Sequence, residues 1–528
     1  MIAAVKRRFF PVEPVLPGYR QPKNALWIRL RNFIFIGTLI FVGLFYGLMS
    51  AIFPVFLYMY MAMPLVIIAG AVIWALPNTD RFPERSIEAF FWIFLFAQLL
   101  WPNYIALALP GLPWITINRL VTAPLALLFL YSMSVAPRLR TQIRDVLINT
   151  PIVTRCFLGL LALQLFTLPA STEIADSFNK TIDQQIQWNL VFFVSCFVFT
   201  KDGRARKFFV LYPWLVIFLC AMSVFEWKQS AVLWADHIPA ILAVGDESVQ
   251  RVLQGTARAA TGIYRVQSIF TTSLNFAEVM AWSTPFFVYW GLYAKRIPIR
   301  VASLLFLAPL FWCIRNTDSR LGAVGFFATF IVYFGIYGIR RWTRTRGDIL
   351  GPAITLSFPL AGSMFFLATF VSNSFHAIIF GNGAQAASNE GRALQWASLW
   401  PKLGSWPFGY GTGRGAETIG SMNLAGVLTI DSYYINLLIE YGVIGFLCWL
   451  GIILGSAANA VKWSMRETSE EARMLTVMAT YMIVYFIIKG VLAGDESNAI
   501  CYMILGMIAG TAWRIKQRLE GHAPAIPA

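Results

Sequence analysis

Apolar runs long enough to cross a bilayer recur along most of the chain, separated by short polar links. Residues 32–79 contain no Asp, Glu, Lys or Arg. One crossing takes about 20 apolar residues, so this stretch predicts two spans, divided at Pro54. Continuing along the sequence places further spans near 88–101, 119–135, 153–169, 186–200, 208–226, 276–294, 298–314, 320–339, 349–371, 433–457, 475–493 and 499–513, after the first two near 33–53 and 54–76. The pattern therefore predicts an all-α polytopic membrane protein with about 14 transmembrane helices. It divides into a basic N-terminal segment (1–32), a polytopic domain (33–513) and a short tail (514–528).

Most links are short. Two are not: residues 227–275 and 372–432. Links of this length are usually functional or disordered, and the aromatic and apolar residues throughout both argue against disorder. A third link, residues 101–118, is apolar and proline-containing, which is tolerable at a membrane edge only under protein cover. Within the second long link, GRALQWASLW (391–400) spaces Trp396 and Trp400 four apart, on one helical face. That arrangement suits a helix in the membrane interface or one packed on neighbouring spans.

Composition fits this class. The chain is 58% hydrophobic and 13% charged, with a mean hydropathy of +0.63. Soluble domains carry about 25% charged residues. The net charge of +16 does not indicate nucleic acid. Its clusters, KDGRARK (201–207), RRWTRTR (340–346) and RIKQR (514–518), all fall on links of one side, the positive-inside pattern. This places both termini in the cytoplasm and the two long links outside. The six cysteines all lie in apolar segments, where small buried hydrophobes are expected. The three histidines, His237, His376 and His522, have no Cys or carboxylate cluster beside them, so neither a metal nor a cofactor is expected.

Candidate chemistry lies in the charges left outside or within the spans. Arg315 and Arg320 bracket one outer turn, RNTDSRLG (315–322). Several arginines at one surface suit phosphate, because a guanidinium presents a planar fork of donors to its oxygens. Phosphates on that side belong to lipid headgroups and polyprenyl-pyrophosphate carriers. Asp431 stands at the mouth of a span, where it can cap the helix or accept a proton from a hydroxyl. Glu440 follows nine residues later, on the opposite face and deeper in a continuous helix. A buried ion pair with Lys489 on the next span is the expected account of both charges, with Gly442 and Gly445 allowing close approach. PFGYGTGRG (407–415) lacks the strand-then-helix setting of a nucleotide loop, and Arg414 in it is a candidate phosphate contact.

Four patches together resemble the O-antigen ligase and polymerase superfamily of Wzy-type membrane glycosyltransferases. They are YRVQSIFTTSLNFAEVMA (264–281), TDSRLGA (317–323), GRALQWASLWPKLGSWPFGYGTG (391–413) and LTIDSYYINLLIEYGVIGFL (428–447). The resemblance implies a GT-C-like fold and sugar transfer at the periplasmic face of the bacterial inner membrane. It implies a substrate of undecaprenyl-pyrophosphate-linked glycan, among membrane lipids and other polysaccharide-assembly proteins. It assigns pyrophosphate contacts to Arg265, Arg320 and Arg392. Asp431 occupies the position of the family's histidine, and an aspartate can replace that histidine as a base but not as a phosphate contact. Gly is also missing after Arg265, where VQS stands. The expected activity is polymerisation of lipid-linked repeats, with Asp431 serving the acceptor hydroxyl. Ligation of finished glycan to an acceptor and transport of the lipid-linked glycan are the alternatives.

Overall fold

The computed structural model describes residues 81–108, 114–257, 264–344, 347–371, 386–422 and 428–521, with scattered positions between 30 and 79. The expected spans near 33–53 and 54–76 lie largely outside the described residues. So do the N-terminal segment, residues 372–385 and 423–427 of the second long link, His376 and His522.

The described chain is helical. In order come α1 (Glu84–Leu100), α2 (Ile117–Val135), α3 (Pro137–Ile148), α4 (Pro151–Phe166), α5 (Ile174–Gln184), α6 (Leu190–Val198), α7 (Arg204–Gln229), α8 (Glu247–Leu253) and α9 (Ser273–Tyr293). These are followed by α10 (Ile297–Leu305), α11 (Leu307–Asn316), α12 (Arg320–Arg344), α13 (Leu350–Val371), α14 (Ala386–Ser405), α15 (Gly415–Ile419), α16 (Tyr433–Ser464), α17 (Glu470–Lys489) and α18 (Asn498–Leu519). A two-residue antiparallel ribbon, β1 (Thr256–Ala257) with β2 (Tyr264–Arg265), pairs Thr256 with Arg265. Among the described residues, eight helical stretches are long and apolar enough to cross a membrane.

Two compact units divide the chain. The smaller takes residues 1–83, 108–114 and 130–138. Inside it, the Thr79 N–H donates to Val135 O at 2.7 Å. The larger takes residues 84–107, 115–129 and 139–528 and holds every candidate residue named above.

Local chemistry sets the helix ends of the larger unit. Ser469 caps α17 by accepting from the Ala472 N–H, with Glu470 and Glu471 in the first turn facing the positive end of the helix dipole. Thr272 caps α9 in the same way, accepting from the Asn275 N–H at 3.2 Å. The most enclosed helix is α18. Its Gly506 and Gly510 let it approach α6 backbone to backbone, since a Cβ at Gly510 would meet Cys196 O at 3.0 Å.

The two ends of this bundle differ in charge. At one end the basic clusters meet. Arg514 pairs with Asp202 at 2.5 Å and Glu471 at 3.3 Å, and Arg518 with Glu471 at 2.7 Å and Glu467 at 2.9 Å. Arg340 donates to Glu467 O, and Arg344 to Met465 O. The opposite end carries the 264–272 segment, the 315–320 turn, the start of α16 and the 490–497 link.

Candidate active site

Arg265 and Arg320 come from distant parts of the sequence but stand together. The Arg265 Nε–H donates to Thr317 O at 2.8 Å, and the adjacent Val266 N–H donates to Asn316 O at 3.1 Å. This fastens β2 to the turn between α11 and α12. Asp318 takes a left-handed conformation in that turn, with φ of 50°, and Arg320 opens α12 directly after it. Arg315, in the last turn of α11, is exposed on the same turn.

Two buried or half-buried carboxylates hold the segment that carries Arg265. Glu226, buried at the end of α7, accepts from the Tyr264 hydroxyl at 2.8 Å and from the Gln267 and Ser268 N–H groups at 3.0 and 2.6 Å. Glu496 accepts from the Thr271 N–H at 3.1 Å, its hydroxyl at 2.8 Å and the Asn275 amide at 2.9 Å. The segment is thereby suspended between α7 and the 490–497 link. Enclosure by protein pushes the Glu496 carboxyl above the usual carboxylate range.

A second group forms at the start of α16. Arg392 Nε on α14 lies 3.8 Å from Asp431 Oδ2. Gln395, one turn further along α14, accepts from the Asp431 N–H at 3.0 Å. Asp431 does not cap the helix, since Ser432 holds the cap position and makes no side-chain cap bond. The α14 helix is placed by Leu399 and Leu403, which pack on Ile435, Leu438 and Ile439. Trp400 points away from that contact and is 62% exposed, while the ring centroids of Trp396 and Trp400 are 6.3 Å apart.

Lys489 connects the two groups. It is buried, its Nζ 2.8 Å from Glu278 Oε1 on α9, and it also donates to Gly494 O. The rings of Tyr485, Tyr433 and Trp282 surround it at 5.3, 5.4 and 5.9 Å, offering their negative faces to the ammonium. Tyr433 lies two residues beyond Asp431. On the other side, Ala277 next to Glu278 abuts Gly322 of α12, and Ile488 next to Lys489 abuts Gly325. Asp431 and Arg320 are thus each two residues along the chain from a position packed on this ion pair or on its immediate neighbours.

This corrects the expected Glu440–Lys489 pair. Glu440 instead accepts from the Gly413 N–H at 2.8 Å. The reason is a break in α16. Gly442 has φ 68° and ψ −174°, so Tyr433–Tyr441 and Val443–Ser464 are separate helical segments. A straight helix would hold Tyr433 about 24 Å from Trp449, yet their ring centroids are 5.7 Å apart. The first segment folds back against the second, so Glu440 sits at the lip of the span and not deep within it. The carbonyls freed by the break are filled by the PFGYGTGRG stretch. The Tyr410 N–H donates to Ile439 O at 2.8 Å and the Gly411 N–H to Glu440 O at 3.1 Å.

Arg414 also departs from expectation. It is buried and paired with Glu173 at 3.1 Å, Glu417 at 2.5 Å and Asp176. Three carboxylates around one guanidinium give it a structural role in place of a phosphate contact. Sequence reading passed over Glu226, Glu278 and Glu496. The available signal was a carboxylate inside an apolar run at residues 226 and 278, and the GDES tetrapeptide at 494–497.

The comparison with protein families bears on this end of the bundle. Residues 287–450 match the family model of O-antigen ligases. The match takes in Arg315, Arg320, Arg392, Asp431 and Gly442 of the O-antigen ligase-type domain and leaves Arg265 and Lys489 outside. No curated protein matches the chain. The chain is a multi-pass, all-α membrane protein carrying an O-antigen ligase-type domain.

Proposed function

We propose that this protein polymerises undecaprenyl-pyrophosphate-linked oligosaccharide repeats at the periplasmic face of the inner membrane, with both termini cytoplasmic and a GT-C-like arrangement of spans. The observation that carries the reading is the pairing of Arg265 with the Arg320 turn at the end of the bundle where Arg392 meets Asp431. Basic clusters gathered at the opposite end support the orientation.

In this reading Arg265 and Arg320, with Arg315 and Arg392 beside them, hold the pyrophosphate of the donor. As the bond from the anomeric carbon to the pyrophosphate oxygen breaks, that oxygen keeps the electron pair, and the guanidinium groups stabilise the charge that develops. The acceptor sugar's hydroxyl oxygen attacks the anomeric carbon, and its proton passes to Asp431. The Arg392 contact holds Asp431 in place until then. Positive charge is supplied by side chains, and we propose that the reaction proceeds without a metal.

The test is elongation by purified protein in detergent with lipid-linked repeats. The parent chain is expected to lengthen them, with chelator leaving the rate unchanged, and Asp431→Asn and Arg320→Ala to fail. The family match supports equally a second reading, ligation of finished glycan to an acceptor. Gene deletion separates the two: loss of a polymerase leaves single repeats on the carrier, and loss of a ligase leaves long carrier-bound polymer.

A further inference from the structure

The break at Gly442 joins two segments that the sequence keeps apart. On one side is the short Tyr433–Tyr441 segment, whose first turn follows Asp431. On the other is the 406–413 stretch, which continues directly from α14, the helix that carries Arg392. These meet at Glu440 through both its backbone and its side chain. Its carbonyl accepts the Gly411 N–H at 3.1 Å and its carboxylate accepts the Gly413 N–H at 2.8 Å. The approach is backbone against backbone: a Cβ at Gly409 would collide with Glu440 O, and one at Gly442 with Pro407 O.

The far side of the same stretch is held as firmly. The Thr181 hydroxyl bonds to that of Thr412 at 2.8 Å, the Tyr441 hydroxyl reaches Thr412 at 3.2 Å, and Lys180 Nζ lies 3.4 Å from Gly413 O. The 409–413 loop is therefore a wedge between α5 and the short segment, and Glu440 is where the wedge grips the segment. The two ends of that segment have distinct tasks: Glu440 is the grip, and Asp431, just before the start, is the group aimed at substrate.

We propose that Glu440 is a positioning residue for the transfer reaction: by clamping the 409–413 loop at the Gly442 break, it fixes the Tyr433–Tyr441 segment and with it the placement of Asp431 against Arg392. This rests on the functional reading above and adds to it the element that orients the base. Glu440 touches neither donor nor acceptor in this scheme. Misplacement of a reacting group by about 1 Å costs on the order of 10²-fold in rate, so a loosened clamp lowers turnover while the arginines continue to bind donor.

The experiment compares the full-length parent with Glu440→Gln and Glu440→Ala in detergent. Two quantities are read: hydrogen–deuterium exchange of residues 407–414, and kcat and KM for the lipid-linked donor. Gln keeps an oxygen that accepts the Gly413 N–H, and Ala does not. Glu440→Ala is expected to raise exchange in the loop and to lower kcat at least about tenfold, with KM changed less than about threefold. Glu440→Gln is expected to keep both the protection and most of kcat. Should Glu440→Ala not yield monodisperse protein, Glu440→Asp, one methylene shorter, gives the same readouts. Unchanged exchange in the truncated variant, or raised exchange with parental kcat, overturns the proposal. Equal loss of kcat in Gln and Ala variants also overturns it, because that result would require the charge and not the clamp. A parent chain that transfers no sugar sinks the functional reading itself, a separate outcome from an active parent with an insensitive Glu440.

Discussion

Lys489 and Glu278 form a buried ion pair at 2.8 Å, linking the end of α17 to the first turns of α9. Both charges are out of water, so removing one leaves the other uncompensated. Glu278→Ala or Lys489→Met alone is expected to destabilise the protein by about 3–5 kcal/mol. Replacing both, as Glu278→Leu with Lys489→Met, is expected to recover most of that loss. Unfolding of the four proteins in one detergent measures it, and losses that simply add in the double variant would show that the pair is not coupled.

The α16 break depends on Gly442. Its φ of 68° lies where side chains are strained, at a cost of about 1–3 kcal/mol, and a Cβ there would strike Pro407 O. Gly442→Ala is expected to lower the melting temperature and to abolish sugar transfer, by expelling the 407–413 stretch from the break. Gly404→Ala on α14, where a Cβ meets open space and φ is not left-handed, serves as the comparison. Equal melting temperatures for Gly442→Ala and the parent would refute the assignment of a required break.

The arginines are expected to differ in kind. Arg320→Ala should cost about 10²–10³ in kcat through lost charge stabilisation. Arg265 also ties β2 to the 317 carbonyl, so Arg265→Ala should lower both kcat and the melting temperature. Arg265→Lys should restore stability better than rate, because Lys lacks the planar fork. Asp431→Asn should cost about 10²–10⁴ in kcat. Initial rates with lipid-linked donor, paired with melting curves, separate these effects.

Glu496 gives a pH prediction. Enclosure by protein holds its carboxyl above the usual carboxylate range, so the folded state binds the proton more tightly than the unfolded chain. The associated stability is complete below the ordinary carboxylate pKa and is lost as pH rises through the raised value. Glu496 should therefore contribute a fall in melting temperature from acid toward neutral pH, and Glu496→Gln should remove that contribution. A parental slope in Glu496→Gln, measured from pH 4 to 8, would exclude Glu496 as a source.

Different parts of this molecule were legible to different degrees. The spans were readable because a bilayer demands internal backbone hydrogen bonding and an apolar surface, and both leave long runs in the sequence. The turn at 315–322 was readable for the same reason, as the polar interval between two runs. Arg265 and Arg392 stood out as candidates through local motifs, but what each touches was not contained in those motifs.

The sequence by itself determined a helical membrane protein, and it offered the arginines and the aspartate as candidates for a site. Only the tertiary structure decided which charges meet. Lys489 pairs with Glu278 and not Glu440 because one glycine at 442 turns the chain back and hands Glu440 to the Gly413 amide. An ion pair or a filled carbonyl is a contact between distant segments. Its partners are chosen by how helices pack and where they break, and a hydropathy pattern holds no record of that choice.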